Sequence, residues 1–244
     1  MKKAILAVSF GTSCEEAERS CIRPVEDALR RAFPDWEVRR AFTSRMILKK
    51  LKNRGIASEN EIEALERLRA EGFESIAVAP THIIPGQEYE VVAHGAQGLK
   101  VSEPLLAGDE DLVWMADLLS KIAAEEGGKL LLMGHGTEHA ADATYERLRQ
   151  KLPENVYLAC VEGSHTLGEI LPELEQMEDR KIALMPLMLV AGDHARNDMA
   201  GDEEDSWKSI LTARGFDVRV RMQGLGALEA VQQKFVEKVR RIVE

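Results

Sequence analysis

The sequence is poor in cysteine, with three residues in 244 and no Cys-x-x-Cys pair. An odd count, here Cys14, Cys21 and Cys160, does not close into a complete disulfide framework, which favours a reducing compartment. Long apolar runs are also lacking, because the N-terminal AILAVSF is too short for a signal peptide with its cleavage site or for a membrane span. We therefore expect a cytoplasmic protein that does not enter a membrane.

Several common functional motifs are absent, and basic residues are fewer than acidic ones. The chain has no GxGxxG, GxxxxGK[ST] or GxSxG segment, so dinucleotide-binding, P-loop and hydrolase-elbow functions have no support. Acidic residues outnumber basic ones by 42 to 32, which argues against non-specific binding to nucleic acid or to an anionic membrane. An anionic substrate would have to meet a local basic patch.

What the sequence does contain is a repeated alternation of short apolar runs, turn residues and helical periodicity. This alternation predicts an α/β fold with parallel strands and crossover helices. The predicted strands are AILAVSF at the start, 37–43, 75–83, LLLMG before His135, 156–162, 181–190 and 217–222. The predicted helices are 15–33, 59–71, 109–125, 140–152, 167–177, 204–214 and 228–243.

The two halves of the chain resemble each other at three strand ends. SFGTS matches GHGTE, FPDWEVRRAFT matches LPENVYLACVE, and IAVAPTHIIPGQE matches IALMPLMLVAGDH. The matched residues are Phe10 with His135, Thr43 with Glu162, and Glu88 with His194. This pattern predicts a duplicated fold, although chance similarity between βα units is an alternative.

His135, Glu162 and His194 follow three different strands of the second half. The carboxyl ends of parallel strands share one edge of a sheet, so we expect these side chains to lie close together. Two imidazoles and a carboxylate suit Co²⁺, Ni²⁺, Fe²⁺ or Zn²⁺. Two alternatives stay open: Glu162 as an acid in the first turn of a helix, and His135 paired with His139 on one helix face.

Basic residues are densest between Arg39 and Lys52. The stretch is interpreted either as a solvated helix face or as a patch that binds carboxylates. Arg45, just beyond a predicted strand, is the best single candidate in it for contact with a substrate.

Four segments together, KKAILAVSFGTS, GHGT, VEG and PLMLVAGDHARNDMAGD, resemble the CbiK-type anaerobic cobalt chelatases, which are class II chelatases related in fold to ferrochelatase. The resemblance implies two similar lobes, each a small parallel sheet flanked by helices, with a cleft between the lobes for sirohydrochlorin. It implies a first lobe of 1–105 joined by a final helix at about 228–244, and a second lobe of 106–227. By motif it assigns metal binding to His135, Glu162 and His194. It assigns the facing wall to Ser9, Phe10, Gly11, Thr12 and Glu88.

The expected function is insertion of Co²⁺ into sirohydrochlorin, or its reduced precursor, for cobalamin synthesis. In this mechanism His135 and His194 hold the metal, while His135 and Glu88 accept the two pyrrole protons. Co²⁺ is a substrate and no permanently bound cofactor is expected. Insertion of iron or nickel and a non-catalytic carrier of tetrapyrrole or metal are the alternatives. The sequence leaves both a monomer and a homo-oligomer open.

Overall fold

The computed structural model describes residues 1–96 and 98–244 and divides the chain into two compact units. One unit comprises Met1–Ala107 together with Gly226–Glu244, and the other comprises Gly108–Leu225. The boundaries drawn from the sequence lie at 105/106 and 227/228. None of the helices in the described part of the chain combines the length and apolar character that a membrane span requires.

The chain alternates between strands and helices. The strands are β1 Lys3–Ser9, β2 Glu37–Phe42, β3 Ser75–Pro80, β4 Lys100–Val101, β5 Leu130–Gly134, β6 Val156–Cys160, β7 Lys181–Pro186 and β8 Asp217–Val220. The α-helices are α1 Glu15–Ala17, α2 Arg23–Ala32, α3 Arg45–Asn53, α4 Glu61–Ala70, α5 Gln87–Gly95, α6 Asp109–Glu125, α7 Ala143–Arg149, α8 Leu167–Leu174, α9 Trp207–Ala213 and α10 Glu229–Val243. Shorter turns of 3₁₀ or π type are Glu18–Ile22, Ala140–Asp142, Ala195–Met199 and Leu225–Ala227.

Each unit contains one four-stranded parallel sheet. The strand order is β2-β1-β3-β4 in the first unit and β6-β5-β7-β8 in the second. The first strand of each half therefore lies in the middle of its sheet, between the second and third strands of that half. The predicted α/β class with two parallel sheets is confirmed, and the shared order supports the duplication.

Successive side chains of β1 point to opposite faces of the first sheet, and both faces are buried. Ile5 and Ala7 pack on one face with residues of α2 and α10, including Leu29 and Val236. Leu6 packs on the opposite face with residues of α4 and α5. A fully buried Leu or Ile side chain contributes about 1.5–3 kcal/mol, so burial on both sides stabilises the position of β1 in the middle of its sheet.

The register corrects one of the matched pairs. In the first unit Thr43 N donates to Ser9 O and Ser44 N donates to Phe10 O. In the second unit Val161 N donates to Gly134 O and Glu162 N donates to His135 O. The counterpart of Glu162 is therefore Ser44, and the sequence match with Thr43 was wrong by one residue.

Several element predictions were also wrong. Strand β4 and helices α3 and α5 were not among the predicted elements, and the helix expected over 15–33 is interrupted by the π turn Glu18–Ile22. Strand β7 ends at Pro186, four residues before the predicted end at 190. Leu187 beyond it is still buried, so the apolar run reports burial rather than continued strand pairing.

Candidate functional site

His135 leaves the carboxyl end of the buried strand β5. A Cβ on the preceding Gly134 would lie 2.9 Å from Cys160 Sγ, so the strand ends in a tightly packed position. Gly136 has φ +79°, and a Cβ there would lie 1.8 Å from the carbonyl oxygen of Glu162. Glycines on both sides of His135 therefore let its backbone lie close to Cys160 and Glu162, while the His135 side chain stays 48% exposed.

Glu162 follows β6, the strand next to β5 in the sheet. Its backbone N–H donates to His135 O at 3.0 Å, which ties the two residues together through the main chain. Its carboxylate Oε1 lies 3.4 Å from His135 Nδ1. The interpretation of Glu162 as a first-turn acid does not hold, because α8 begins at Leu167 and Thr166 caps it through a capping box with Glu169.

His194 lies at the start of the π turn Ala195–Met199, beyond strand β7. Buried Ala195 and Met199 anchor this turn in the core of the second unit. His194 Nδ1 lies 2.5 Å from Asp198 Oδ2, one turn further along. An acidic partner at Nδ1 fixes the proton on that nitrogen and leaves the lone pair of Nε2 available for a ligand.

The three predicted metal-binding residues come together in the second unit. The rings of His135 and His194 have centroids 4.9 Å apart and cross edge to face at 88°. Glu162 contacts His135 from its own loop. Over residues 1–96 and 98–244, however, no three His, Cys, Asp or Glu side chains are arranged closely enough to hold a metal ion as they stand. All three side chains are about half exposed, so rotation could bring their donor atoms onto one ion.

Cys160 lies beside the loops that carry His135 and Glu162. Burial raises the pKa of its thiol to about 12, and the nearby Asp142 carboxylate adds to the effect. Cys160 therefore stays protonated near neutrality.

The rival pair of His135 and His139 has no helix to align it. Residues 135–137 are not helical, and the following 3₁₀ turn begins only at Ala140. His139 Nδ1 accepts from Ala141 N at 3.1 Å, so its ring caps that turn. The structure thus favours His194 over His139 as the partner of His135.

The residues predicted for tetrapyrrole contact lie in the first unit. Ser9 ends β1 and is buried, with its hydroxyl 2.8 Å from that of Thr81. Phe10 is 47% exposed, whereas Thr12 is buried and accepts from Cys14 N. Gly11 has φ +97°, and a Cβ there would meet the Phe42 ring at 2.8 Å. Phe10 is therefore the residue of this turn that presents side-chain surface.

Two further predicted residues begin helices of the first unit. Glu88 is exposed in the first turn of α5, and Arg45 is the exposed first residue of α3. The basic stretch that includes Arg45 is thus partly a helix face, with Ile47 and Leu51 turned to the core.

A cavity of about 630 Å³ lies next to the Phe10 turn in the first unit. Thr12, Phe42 and Arg54 are among the residues that line it. Arg54 Nη1 donates to Ser13 O at 2.5 Å, so Arg54 is a basic residue that contacts the segment directly after this turn. No local sequence pattern indicates this contact, because it spans 41 residues.

Two acidic residues of the second unit were missed from the sequence. Asp198 could have been found, because it follows His194 at the i, i+4 spacing that joins side chains on a helical turn. Asp142 could not, because its contact with Ser164 spans 22 residues.

Comparisons with known proteins indicate the family of the chain. A family model described as cobalt chelatase (CbiK) matches residues 3–244. A sirohydrochlorin cobaltochelatase of Salmonella typhimurium is 37% identical over 97% of this chain and 94% of its own length. The sirohydrochlorin cobaltochelatase CbiKC of Nitratidesulfovibrio vulgaris is 37% identical over 88% of this chain and 81% of its own length.

Among solved structures, SirB from Bacillus subtilis with Fe3+ superimposes with a TM-score of 0.64 and covers 99% of this chain and 96% of its own. At 16% identity this match supports the fold alone. The family model thus matches nearly the whole sequence, and the two relatives cover 97% and 88% of it. The chain therefore belongs to the cobalt chelatase (CbiK) family.

Proposed function

We propose that this enzyme inserts Co²⁺ into sirohydrochlorin, or its reduced precursor, with release of two protons, in anaerobic cobalamin synthesis. The observation that carries the proposal is the imidazole pair of His135 and His194, 4.9 Å apart, with Glu162 beside it. Family membership and the two sirohydrochlorin cobaltochelatases with 37% identity support the choice of substrate and metal.

His135, Glu162 and His194 capture the ion before insertion. Imidazole nitrogens bind late divalent metals well, and one carboxylate offsets part of the ionic charge. Because Nδ1 of His194 is held by Asp198, Nε2 is the nitrogen that binds Co²⁺. The exchange of aqua ligands for these side chains prepares the ion for transfer to the macrocycle.

Two pyrrole protons must leave as the metal enters the ring. His135 acts as a general base and takes one of them. Glu88, exposed on α5, takes or relays the other. On the macrocycle side, Phe10 offers an apolar surface, the turn of Ser9, Gly11 and Thr12 supports it, and Arg45 meets a carboxylate.

We also propose that the enzyme acts in the cytoplasm on a small tetrapyrrole and a divalent metal, with no permanently bound cofactor. The three free cysteines support a reducing compartment. Size-exclusion chromatography with light scattering would decide between a monomer and a homo-oligomer.

The test is anaerobic incubation of sirohydrochlorin with limiting enzyme, followed by visible spectroscopy as Co²⁺ is added. We expect many turnovers per enzyme and a rate above that of the reaction without protein. Parallel reactions with Fe²⁺ and Ni²⁺ test the choice of metal. A single stoichiometric spectral change without turnover would instead identify a carrier and contradict the proposal.

A further inference from the structure

The 3₁₀ turn before α7 carries a carboxylate that contacts both loops of the candidate metal site. We define the His135 loop as residues 135–139 and the Glu162 loop as residues 162–165. We infer that Asp142 is a positioning residue that fastens these loops together and so sets the distance between the His135 imidazole and the Glu162 carboxylate. The expected effect on the KM for Co²⁺ rests on the proposed function, whereas the contact of Asp142 with both loops does not.

Both oxygens of Asp142 are used, one for each loop. Oδ1 accepts from Thr137 N in the His135 loop at 3.1 Å. Oδ2 accepts from Ser164 N in the Glu162 loop at 3.0 Å and also from the Ser164 hydroxyl. One side chain therefore bridges two segments that are otherwise joined mainly through the main-chain bond from Glu162 N to His135 O.

Only a carboxylate suits this position. Three N–H or O–H donors point at the two oxygens, and hydrogen bonds to an ionised acceptor are roughly twice as strong as neutral ones. In an asparagine, the amide NH₂ would replace one oxygen and face a backbone N–H, so one loop would lose its acceptor. The isosteric Asp142→Asn change thus removes the bridge without removing volume.

The two loops pack closely around the Asp142 carboxylate. A Cβ on Gly163 would lie 2.8 Å from both Asp142 Oδ1 and Thr137 O. A Cβ on Gly136 would overlap the carbonyl of Glu162. Two glycines therefore make room for the contact between the loops, and the Asp142 carboxylate lies against both.

The far end of the Glu162 loop is also held by α7. His165 has a left-handed φ of 62°, which is unusual for a residue other than glycine. Its Nε2 lies 2.8 Å from Glu146 Oε2, and its Nδ1 contacts Arg149. Strain of this kind persists only where surrounding contacts enforce it, so α7 and the turn before it form the support for the Glu162 loop.

The test compares Asp142→Asn with the wild type. Backbone hydrogen exchange at Thr137 and Ser164 should become at least about tenfold faster, because each amide loses its acceptor or the loop geometry that presents it. The KM for Co²⁺ should rise about 10- to 100-fold, as found when groups that orient metal ligands are removed. The KM for the tetrapyrrole should not change.

Asp202→Asn is the matched control, because Asp202 is an exposed aspartate of the same unit whose partner is Lys208. It should leave amide exchange at Thr137 and Ser164 and both KM values at their wild-type values. If Asp142→Asn fails to fold, Ser164→Ala removes one of the three donors and should give a smaller change in the same direction.

Unchanged exchange at both amides in Asp142→Asn or, if that variant does not fold, in Ser164→Ala would overturn the inference. A variant with lower stability but a wild-type KM for Co²⁺ would also overturn it, because Asp142 would then be merely structural. Absence of cobalt insertion by the wild type would defeat the proposed function alone, since amide exchange still tests the fastening.

Discussion

Each of the two units of this enzyme contains a four-stranded parallel sheet with the same strand order, but the residues just beyond the strand ends differ between the units. In the first unit, Phe10, Ser44 and Glu88 occupy these positions. The same positions of the second unit hold an imidazole, a carboxylate and a second imidazole: His135, Glu162 and His194. A common strand order thus provides corresponding positions, and the side chains at these positions give one unit a candidate metal site.

The largest effect should come from replacing an imidazole of the second unit. His194→Ala removes a proposed ligand, so we expect cobalt insertion to fall roughly 100-fold or more, beyond the loss caused by removal of a supporting group. Circular dichroism should show an intact fold, because the side chain is about half exposed. His94→Ala, on an exposed position of α5 in the first unit, is the control. Wild-type turnover in His194→Ala would remove it from the mechanism.

The paired glycines after β1 and β5 give the next comparison. Gly136→Ala should lower the free energy of unfolding by about 2–4 kcal/mol, because it combines positive φ with overlap on the Glu162 backbone. Gly11→Ala should cost less, about 1–3 kcal/mol, because its Cβ meets the Phe42 ring, which can tilt. Urea unfolding of the two variants measures the difference. A greater loss in Gly11→Ala would contradict this view of the two turns.

Acid sensitivity should reside in the first unit. Burial lowers the pKa of His82 to about 4, and both ring nitrogens lack accessible surface and a described hydrogen-bond partner. An unfolded histidine binds a proton near pH 6.5, so the stability due to neutral His82 is complete above that pH. It is lost as the pH falls toward 4, by up to about 3 kcal/mol.

The corresponding residue of the second unit is Met188, which does not titrate. His82→Met should therefore flatten the dependence of unfolding free energy on pH between 6.5 and 4. Urea unfolding of His82→Met and the wild type at several pH values measures this dependence. An unchanged pH dependence would show that His82 does not cause the acid sensitivity.

The smallest effect concerns the carboxylate. Glu162→Gln keeps the size of the side chain but removes its charge, so Co²⁺ affinity should fall about tenfold while tetrapyrrole affinity stays the same. Glu178→Gln, at an exposed site of the same unit, controls for the loss of one negative charge. Calorimetric titration with Co²⁺ measures the cobalt affinity of the two variants. Equal cobalt affinity in Glu162→Gln and wild type would exclude Glu162 as a ligand.

Much of this fold could be predicted because apolar periodicity and turn residues act locally. Helix α6 was predicted with its observed bounds, since an acidic first turn and a long amphipathic run define it. The convergence of His135 with His194 also followed from the rule that parallel strands end at one edge. Strand β4, of two residues, is too short to show a pattern.

The supporting contacts could not be predicted, for a physical reason. Asp142 and Ser164 meet only after β5 and β6 pair and bring their following loops side by side. The incorrect match of Thr43 with Glu162 has a similar cause, because a one-residue difference in loop length does not alter the apolar pattern of the strands. Only the hydrogen bonds of the sheet reveal the true register.

The central claim is that the second unit holds Co²⁺ through His135, His194 and Glu162. Cobalt-edge X-ray absorption on the Co²⁺-loaded protein tests it most directly, because scattering from imidazole rings reports the number of histidine ligands. We predict two imidazoles in the wild type and one in His194→Ala. A wild-type spectrum without imidazole, or one unchanged by His194→Ala, would contradict the claim.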